Sequence, residues 1–159
     1  MTTPPPLAEA LGKVPSGLFI LTVRHKDEET GMLASWVMQA GFEPPMLTVA
    51  VRKDRYVAAW LEAGSPFVLN QVPEPDAAHL LRHFARGFEP GAPAFEGMAI
   101  SRTEQRVPVL EGSAGHLQCL PRGHVDSGDH RIFVAEIIDG QAVADRPPMV
   151  HVRRTGLRY

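Results

Sequence analysis

The chain has 159 residues, of which 44% are hydrophobic and 21% charged, and it carries a formal net charge of −2. That is ordinary globular composition for a single domain, and a chain of this size buries roughly 70% of its unfolded surface without needing metals or disulfides. The near-neutral charge leaves no nucleic-acid or membrane footprint, the lone Cys119 permits no intramolecular disulfide, and no apolar run approaches the roughly 20 residues of a membrane helix. The opening Met-Thr-Thr-Pro-Pro-Pro is neither basic nor apolar, so it does not read as a signal peptide, and a cytoplasmic protein is expected. Residues 1–6 read as flexible.

Pro6 to Val14 can form a short helix with Leu7, Leu11 and Val14 on one face, ended by Pro15-Ser16-Gly17. Leu18 to Val23 is an unbroken apolar run, which predicts a strand buried on both faces. His25 to Thr30, closed by Gly31, reads as the polar turn of a hairpin. Leu33 to Met38 reads as a strand, Gln39 to Pro45 as a loop that the Pro44-Pro45 pair keeps from being helical, and Met46 to Val51 as a buried strand. Arg52, Lys53 and Arg55 follow where a helix should begin, with Asp54 as its N-cap, Tyr56, Val57, Trp60 and Leu61 at helical spacing, and Gly64 just past its end.

Phe67 to Asn70 predicts a short strand, and Ala77 to Arg86 a helix with Leu80, Leu81 and Phe84 inward. Gly87 to Gly97 is too broken by glycine and proline for regular structure. Its aromatics either pin it to the core or make it a lid. Strands are then expected at Met98–Ser101, Pro108–Glu111, Ala114–Val125, His130–Ile138 and Met149–Arg153, with a turn at Asp126–Asp129 and Gln141–Asp145 continuing or pairing with the strand before it. Strands predominate, helices are short insertions, and regular strand–helix alternation is missing. The pattern predicts a mainly β fold, a closed or partly closed antiparallel barrel.

A polar loop between strands, followed by cations at a helix start, suits a phosphate-bearing ligand, but spacing alone favours a polar turn and a solvated charge cluster. The residues Leu33-Ala-Ser-Trp-Val-Met-Gln-Ala40, Phe42-Glu-Pro-Pro45, Thr48-Val-Ala-Val51 and Lys53-Asp-Arg55 together resemble the flavin reductase-like family. Within it they resemble the C-terminal flavin reductase module of flavodiiron proteins of photosynthetic type. Further matches are His83-Phe84, Phe88, Pro90-Gly91, Phe95-Glu-Gly97, Gly128-Asp-His130 with Ile132 to Ile137, and Val150-His151, Arg153 and Gly156 through Tyr159. The resemblance spans Val14 to Tyr159 and implies an antiparallel FMN-binding split barrel, usually a homodimer. It also implies FMN, with FAD less favoured, and NADH or NADPH as electron donor. Electrons would pass to free flavin, oxygen or a partner redox protein.

On that resemblance the candidate cofactor residues are Leu33, Ala34, Ser35, Trp36, Val37, Gln39, Ala40, Gly41, Lys53 and Arg55, with His130 positioning the flavin or the nicotinamide. Strand alternation lets only one of Ser35 and Trp36 face a given ligand. Gln39 both donates and accepts, which suits the pyrimidine edge of a flavin. Gly41 stands where the resemblance predicts serine, so a backbone amide would replace a hydroxyl there. At least one of Arg52, Lys53 and Arg55 is expected on phosphate, the arginines through paired bonds and the lysine as a point charge.

No general base is required, because the cofactors carry hydride transfer. The seven histidines include the i, i+4 pair His79 and His83, but no third ligand accompanies them and no metal is expected. Cys119 reads as a buried small hydrophobe. No Rossmann fingerprint or P-loop is present in the glycine pattern. Two other readings stay open: a flavin-carrying electron-transfer protein with no nicotinamide site, and a split-barrel module that binds no flavin.

Overall fold

The computed structural model of the protein describes residues 5–158. Residues 1–4, where most of the flexible segment was expected, and Tyr159 lie outside the described residues. The elements are α1 (Pro6–Gly12), β1 (Ser16–Gly17), β2 (Phe19–His25), β3 (Glu28–Ala34), β4 (Val37–Phe42), β5 (Pro45–Arg52), α2 (Tyr56–Glu62), β6 (Phe67–Gln71), α3 (Ala78–Phe84), β7 (Ile100–Arg102), β8 (Pro108–Leu110), β9 (Gly115–Ser127), β10 (His130–Ala142) and β11 (Val150–His151). The fold is mainly β with short inserted helices, as the strand-rich pattern implied.

Seven strands form one antiparallel sheet in the order β3-β2-β6-β9-β10-β5-β4. Its two edge strands, β3 and β4, are consecutive in sequence and separated only by Ser35 and Trp36. A flat sheet would hold them roughly 29 Å apart across six strand spacings, yet two linking residues span at most about 11 Å. The sheet therefore curls until its edges meet. The Ala50 N–H donates to the Trp36 carbonyl at 3.0 Å, tying the seam to β5. This is a barrel split along one line, and the line is Ser35–Trp36.

Inside the barrel pack Leu21, Val23, Leu47, Val49, Val51, Phe67, Leu69, Cys119 and Phe133, with Val57, Trp60 and Leu61 of α2 in the same cluster. A second cluster, with Leu18, Ile20, Val72, Leu80, Phe84 and Leu110, lies under α3 and the following loop. Strand β2 serves both clusters, since Leu21 and Val23 belong to one and Ile20 to the other. That is why its sequence is apolar without alternation.

Several expected boundaries move. The first hairpin turns in two residues, Lys26 and Asp27, because Glu28, Glu29 and Thr30 pair in β3 against β2. The expected loop at Gln39–Pro45 is mostly strand: β4 continues to Phe42, bulges between Gln39 and Gly41, and reverses at Glu43-Pro44 into β5. Prolines in a hairpin turn satisfy the same local restriction that predicted a loop. Asp54 does not cap α2. Arg55 holds the N-cap position with no side-chain cap bond, and Asp54 pairs with Arg52 at 2.9 Å. Gly64 does end α2, at φ 89°, and the Ser65 N–H returns to the Trp60 carbonyl at 3.1 Å.

Helix α1 presents an unexpected face. Leu7, Leu11 and Val14 are 64%, 38% and 61% exposed, whereas Ala8 is fully buried. The reason is close backbone approach. The C-terminal tail crosses the small residues of α1, where the Arg153 N–H donates to the Gly12 carbonyl at 3.1 Å and the Gly156 N–H to the Ala8 carbonyl at 2.6 Å. A Cβ at Gly12 would sit 2.5 Å from the Arg153 carbonyl oxygen. The tail then pairs β11 with β1, Ser16 opposite His151 and Gly17 opposite Val150.

Gly31 is constrained by packing. A Cβ there would lie 2.6 Å from Cε1 of Phe84, whose ring is fully buried. Gly31→Ala is expected to lower stability by about 1–3 kcal/mol, the usual cost of overpacking a tight core. Urea unfolding checks this, and an unshifted midpoint would mean that the Phe84 ring has room to retreat.

Candidate functional site

Two clefts lie at the seam. One cleft of about 730 Å3 is lined by Ser35, Trp36, Val37 and Met38, by Thr48 and Ala50 of β5, by Ser127, Asp129 and His130 of the β9–β10 hairpin, and by Val14 to Gly17 and Val150. A second, of about 470 Å3, is lined by Leu33 to Trp36, by Met32, Leu81, Phe84 and Met149, and by Arg52, Arg55, Gly87 and His151. Ser35, Trp36 and Ala50 line both, so the two clefts flank one wall. Strand β5 reaches them through its alternation: Leu47, Val49 and Val51 are buried, while Thr48 and Ala50 are half-buried.

Ser35 and Trp36 are not in a strand. The expectation that alternation would aim only one of them at a ligand therefore lapses. The Trp36 ring lies 4.6 Å from the His130 ring at 45°, and Arg153 sits over Trp36 with its Cζ 5.2 Å from the ring centroid. His130 is buried, and its Nδ1 lies 2.7 Å from Asp129 Oδ1. A carboxylate only accepts, so Nδ1 carries the hydrogen in this bond. The bond in turn holds the Asp129 carboxyl below its ordinary range. His130 is thus fixed in orientation by the turn residue before it.

The basic cluster divides. Arg52 pairs with Asp54 at 2.9 Å, and Lys53 pairs with Asp126 at 3.4 Å across to the β9–β10 hairpin. Arg55 has neither an ion pair nor a side-chain hydrogen bond among the described residues. It faces the second cleft beside Gly87, whose φ is 68° and at which a Cβ would lie 2.9 Å from Arg55 Nη1. The positive φ and the missing side chain leave that guanidinium room.

Of the sequence candidates, Leu33, Ala34, Ser35, Trp36, Val37, Arg55 and His130 line the clefts. Gln39, Ala40, Gly41 and Lys53 line neither. Gln39 and Ala40 are exposed on β4 beyond the seam, and the Gln39 amide donates to the Gly41 carbonyl at 3.4 Å. Continuing β4 as a strand carries these residues away from the cleft. Gly87, Met149 and the Val14–Gly17 segment were not foreseen, because only long-range packing brings them to the seam.

The Gly87–Gly97 loop is pinned. Phe88 and Phe95 pack on Phe84 at 5.9 and 6.1 Å between centroids, the Tyr56 hydroxyl donates to the Phe88 carbonyl at 2.8 Å, and His83 Nε2 lies 2.7 Å from the Ala94 carbonyl oxygen. His83 is thereby engaged, and no cluster of three metal-ligating groups occurs among the described residues. No helix among them is long and apolar enough to cross a membrane.

Cys119 is fully buried, and burial pushes its thiol up to about 12. At pH 8 the native protein is expected to leave an aromatic disulfide reagent unreacted for hours and to titrate one thiol at once in denaturant. Prompt native labelling would mean that β9 opens locally.

Residues 11–156 match the family model described as the flavin reductase like domain. The chain is 36% identical over 154 residues to diflavin flavoprotein A 1 of Synechocystis sp., covering 96% of this chain and 27% of that protein. It is likewise 36% identical to the putative diflavin flavoprotein A 3 of Nostoc sp., again covering 96% and 27%. It therefore spans about a quarter of the length of these relatives. Among solved structures, the NADH:FAD oxidoreductase of Streptomyces globisporus superposes with a TM-score of 0.83 at 26% identity, covering 91% of this chain and 85% of that one. The flavin reductase HpaC, complexed with NADP+, gives 0.78 at 25% identity over 91% and 90%. A family match over nearly the whole chain, joined to the same split barrel, leads to one conclusion: this chain belongs to the flavin reductase like domain family.

Proposed function

We propose that the chain is an NAD(P)H-dependent flavin reductase module that holds FMN along the seam and passes electrons to free flavin, oxygen or a partner redox protein. The observation that carries this reading is the arrangement of the seam: an apolar cleft with, at its basic end, a guanidinium, Arg55, that has no ion pair among the described residues, and a fixed His130 on the far side of the Ser35–Trp36 wall. The donor set fits a flavin mononucleotide. Apolar side chains suit a flat ring system, the Ser35 hydroxyl and the backbone beside it suit its polar edge, and a single cation suits one terminal phosphate.

When bound, the flavin supplies the redox chemistry by accepting a hydride from the dihydronicotinamide, which leaves as NAD(P)+. The protein's own residues bind, orient and exclude water. Arg55 anchors phosphate, Trp36 separates the two clefts, and His130, its Nδ1–H held by Asp129, lines the larger cleft. The structural neighbours support a nicotinamide partner: one is an NADH:FAD oxidoreductase also solved with NAD and FAD fragments, and another carries NADP+. A homodimer fits the apolar edge strand, where Met38 and Phe42 are 69% and 90% exposed.

The test is the visible spectrum of protein loaded with FMN, recorded without oxygen before and after NADH or NADPH. Bleaching of the bound flavin supports the reductase. A bound flavin that bleaches only with a chemical reductant selects the electron carrier, and failure to bind any flavin overturns the reading.

A further inference from the structure

Four arginines among the described residues are half-buried: Arg24, Arg52, Arg131 and Arg153. Three have carboxylate partners, Arg24 with Glu29 at 3.3 Å, Arg52 with Asp54 at 2.9 Å, and Arg131 with Glu62 at 2.7 Å and Asp126 at 2.8 Å. Arg153 has no ion pair among the described residues. Its guanidinium lies over the Trp36 ring, and Trp36 lines both clefts. A half-buried guanidinium without an acceptor loses hydration that an aromatic face only partly replaces.

The backbone holds Arg153 in place firmly. Its N–H donates to Gly12 at 3.1 Å, β11 just before it pairs with β1, and Gly156 just after it is tied to Ala8 at 2.6 Å. The same straps put Val14 to Gly17 and Val150 on the wall of the larger cleft. Arg153 is therefore a preset cation above the wall between the clefts, on the terminal straps and not on the α2 end that carries Arg55.

We infer that Arg153 is a specificity residue for the electron donor, its guanidinium binding the diphosphate of NADH or NADPH when the dinucleotide enters the larger cleft. The inference rests on the reductase reading above. Two guanidinia with no ion pair among the described residues stand at the seam, Arg55 lining the second cleft and Arg153 over the Trp36 ring, and they divide the labour: Arg55 holds the phosphate of the resident flavin, and Arg153 that of the visiting donor. A guanidinium matches the spaced oxygens of a diphosphate, and one already stacked on an indole gives up little rotamer freedom on binding.

The experiment compares FMN-loaded wild type with Arg153→Gln and Arg153→Lys, using NADH, NADPH and 1-benzyl-1,4-dihydronicotinamide, which transfers the same hydride and carries no phosphate. In Arg153→Gln the KM for both dinucleotides is expected to rise at least tenfold, and the preference for NADH over the benzyl donor, as a ratio of kcat/KM, to fall at least tenfold. Arg153→Lys, which keeps the charge and loses the fork, should recover part of that preference. An unchanged preference overturns the inference. So does equal damage with all three donors, since that marks a structural role through Trp36. If wild type binds FMN yet oxidises none of the donors, the reductase reading fails and this inference fails with it. Activity in wild type with an unaltered Arg153→Gln preference sinks the inference alone.

Discussion

Arg55→Ala is expected to weaken FMN binding by about 10- to 100-fold and leave the fold intact. A hydrogen bond to a charged group contributes about 1.5–3 kcal/mol, and each 1.4 kcal/mol is a factor of ten in affinity. Arg55 is exposed at the start of α2 and has no ion pair among the described residues, so its removal leaves no buried partner behind. Lys53 is the internal control. It already pairs with Asp126 at 3.4 Å on the surface, so Lys53→Ala should change FMN affinity by no more than about threefold. Quenching of FMN fluorescence on titration measures both, with thermal melts to show that each variant is folded. If Lys53→Ala proved the more damaging, the phosphate would lie toward the β9–β10 hairpin and the assignment of Arg55 would be wrong.

Asn70→Ala should be among the most destabilising single substitutions in the chain, by about 3–5 kcal/mol. Asn70 is fully buried on β6. Its Nδ2 donates to the Ile20 carbonyl at 2.9 Å and to Thr22 Oγ1 at 3.1 Å, and its Oδ1 accepts from the Leu110 N–H at 2.8 Å. The Thr22 hydroxyl donates in turn to the Pro108 carbonyl at 2.6 Å. One amide thus joins β2, β6 and β8. Removing it strands buried backbone groups, each costing about 1–3 kcal/mol, and leaves a small cavity. The loss is a large part of the 5–15 kcal/mol that stabilises a typical domain. Urea unfolding should show a lower midpoint with an unchanged slope. A change below about 1 kcal/mol would mean that water takes the amide's place.

Much of the fold was legible in the chain. The unbroken run from Leu18 to Val23, the β-branched apolar run from Met46 to Val51, and Gly64 after an apolar helical face each carry a local signal, and each element stands where it was expected. The failures share a cause. Leu7, Leu11 and Val14 were grouped on one helical face, and that face stays exposed because the tail packs on the small residues of α1 instead. The loop expected at Gln39–Pro45 became an edge strand because β5 offered it partners, and pairing energy outweighs a weak local preference. Asp54 pairs with Arg52, two residues before it, while Arg55 takes the N-cap position.

The candidate site was half legible. The residues that make the seam, Leu33 to Val37, were singled out from their types and their resemblance to a family, and so were Arg55 and His130. Which of the three neighbouring cations has no ion pair among the described residues could not be read from the chain, because Asp126 is far from Lys53 in sequence and meets it only when β10 pairs with both β5 and β9. Nor could the place of Arg153 over Trp36, which depends on the two ends of the described chain meeting at β1 and β11. Sequence by itself determined the strand-rich character and the short helices, since backbone restriction and hydrophobic period act over a few neighbours; the seam residues were singled out through the family resemblance. Tertiary structure alone decided which charges are neutralised, which apolar faces stay open and which side chains share a cleft, because those depend on contacts between residues brought together only when the sheet rolls up.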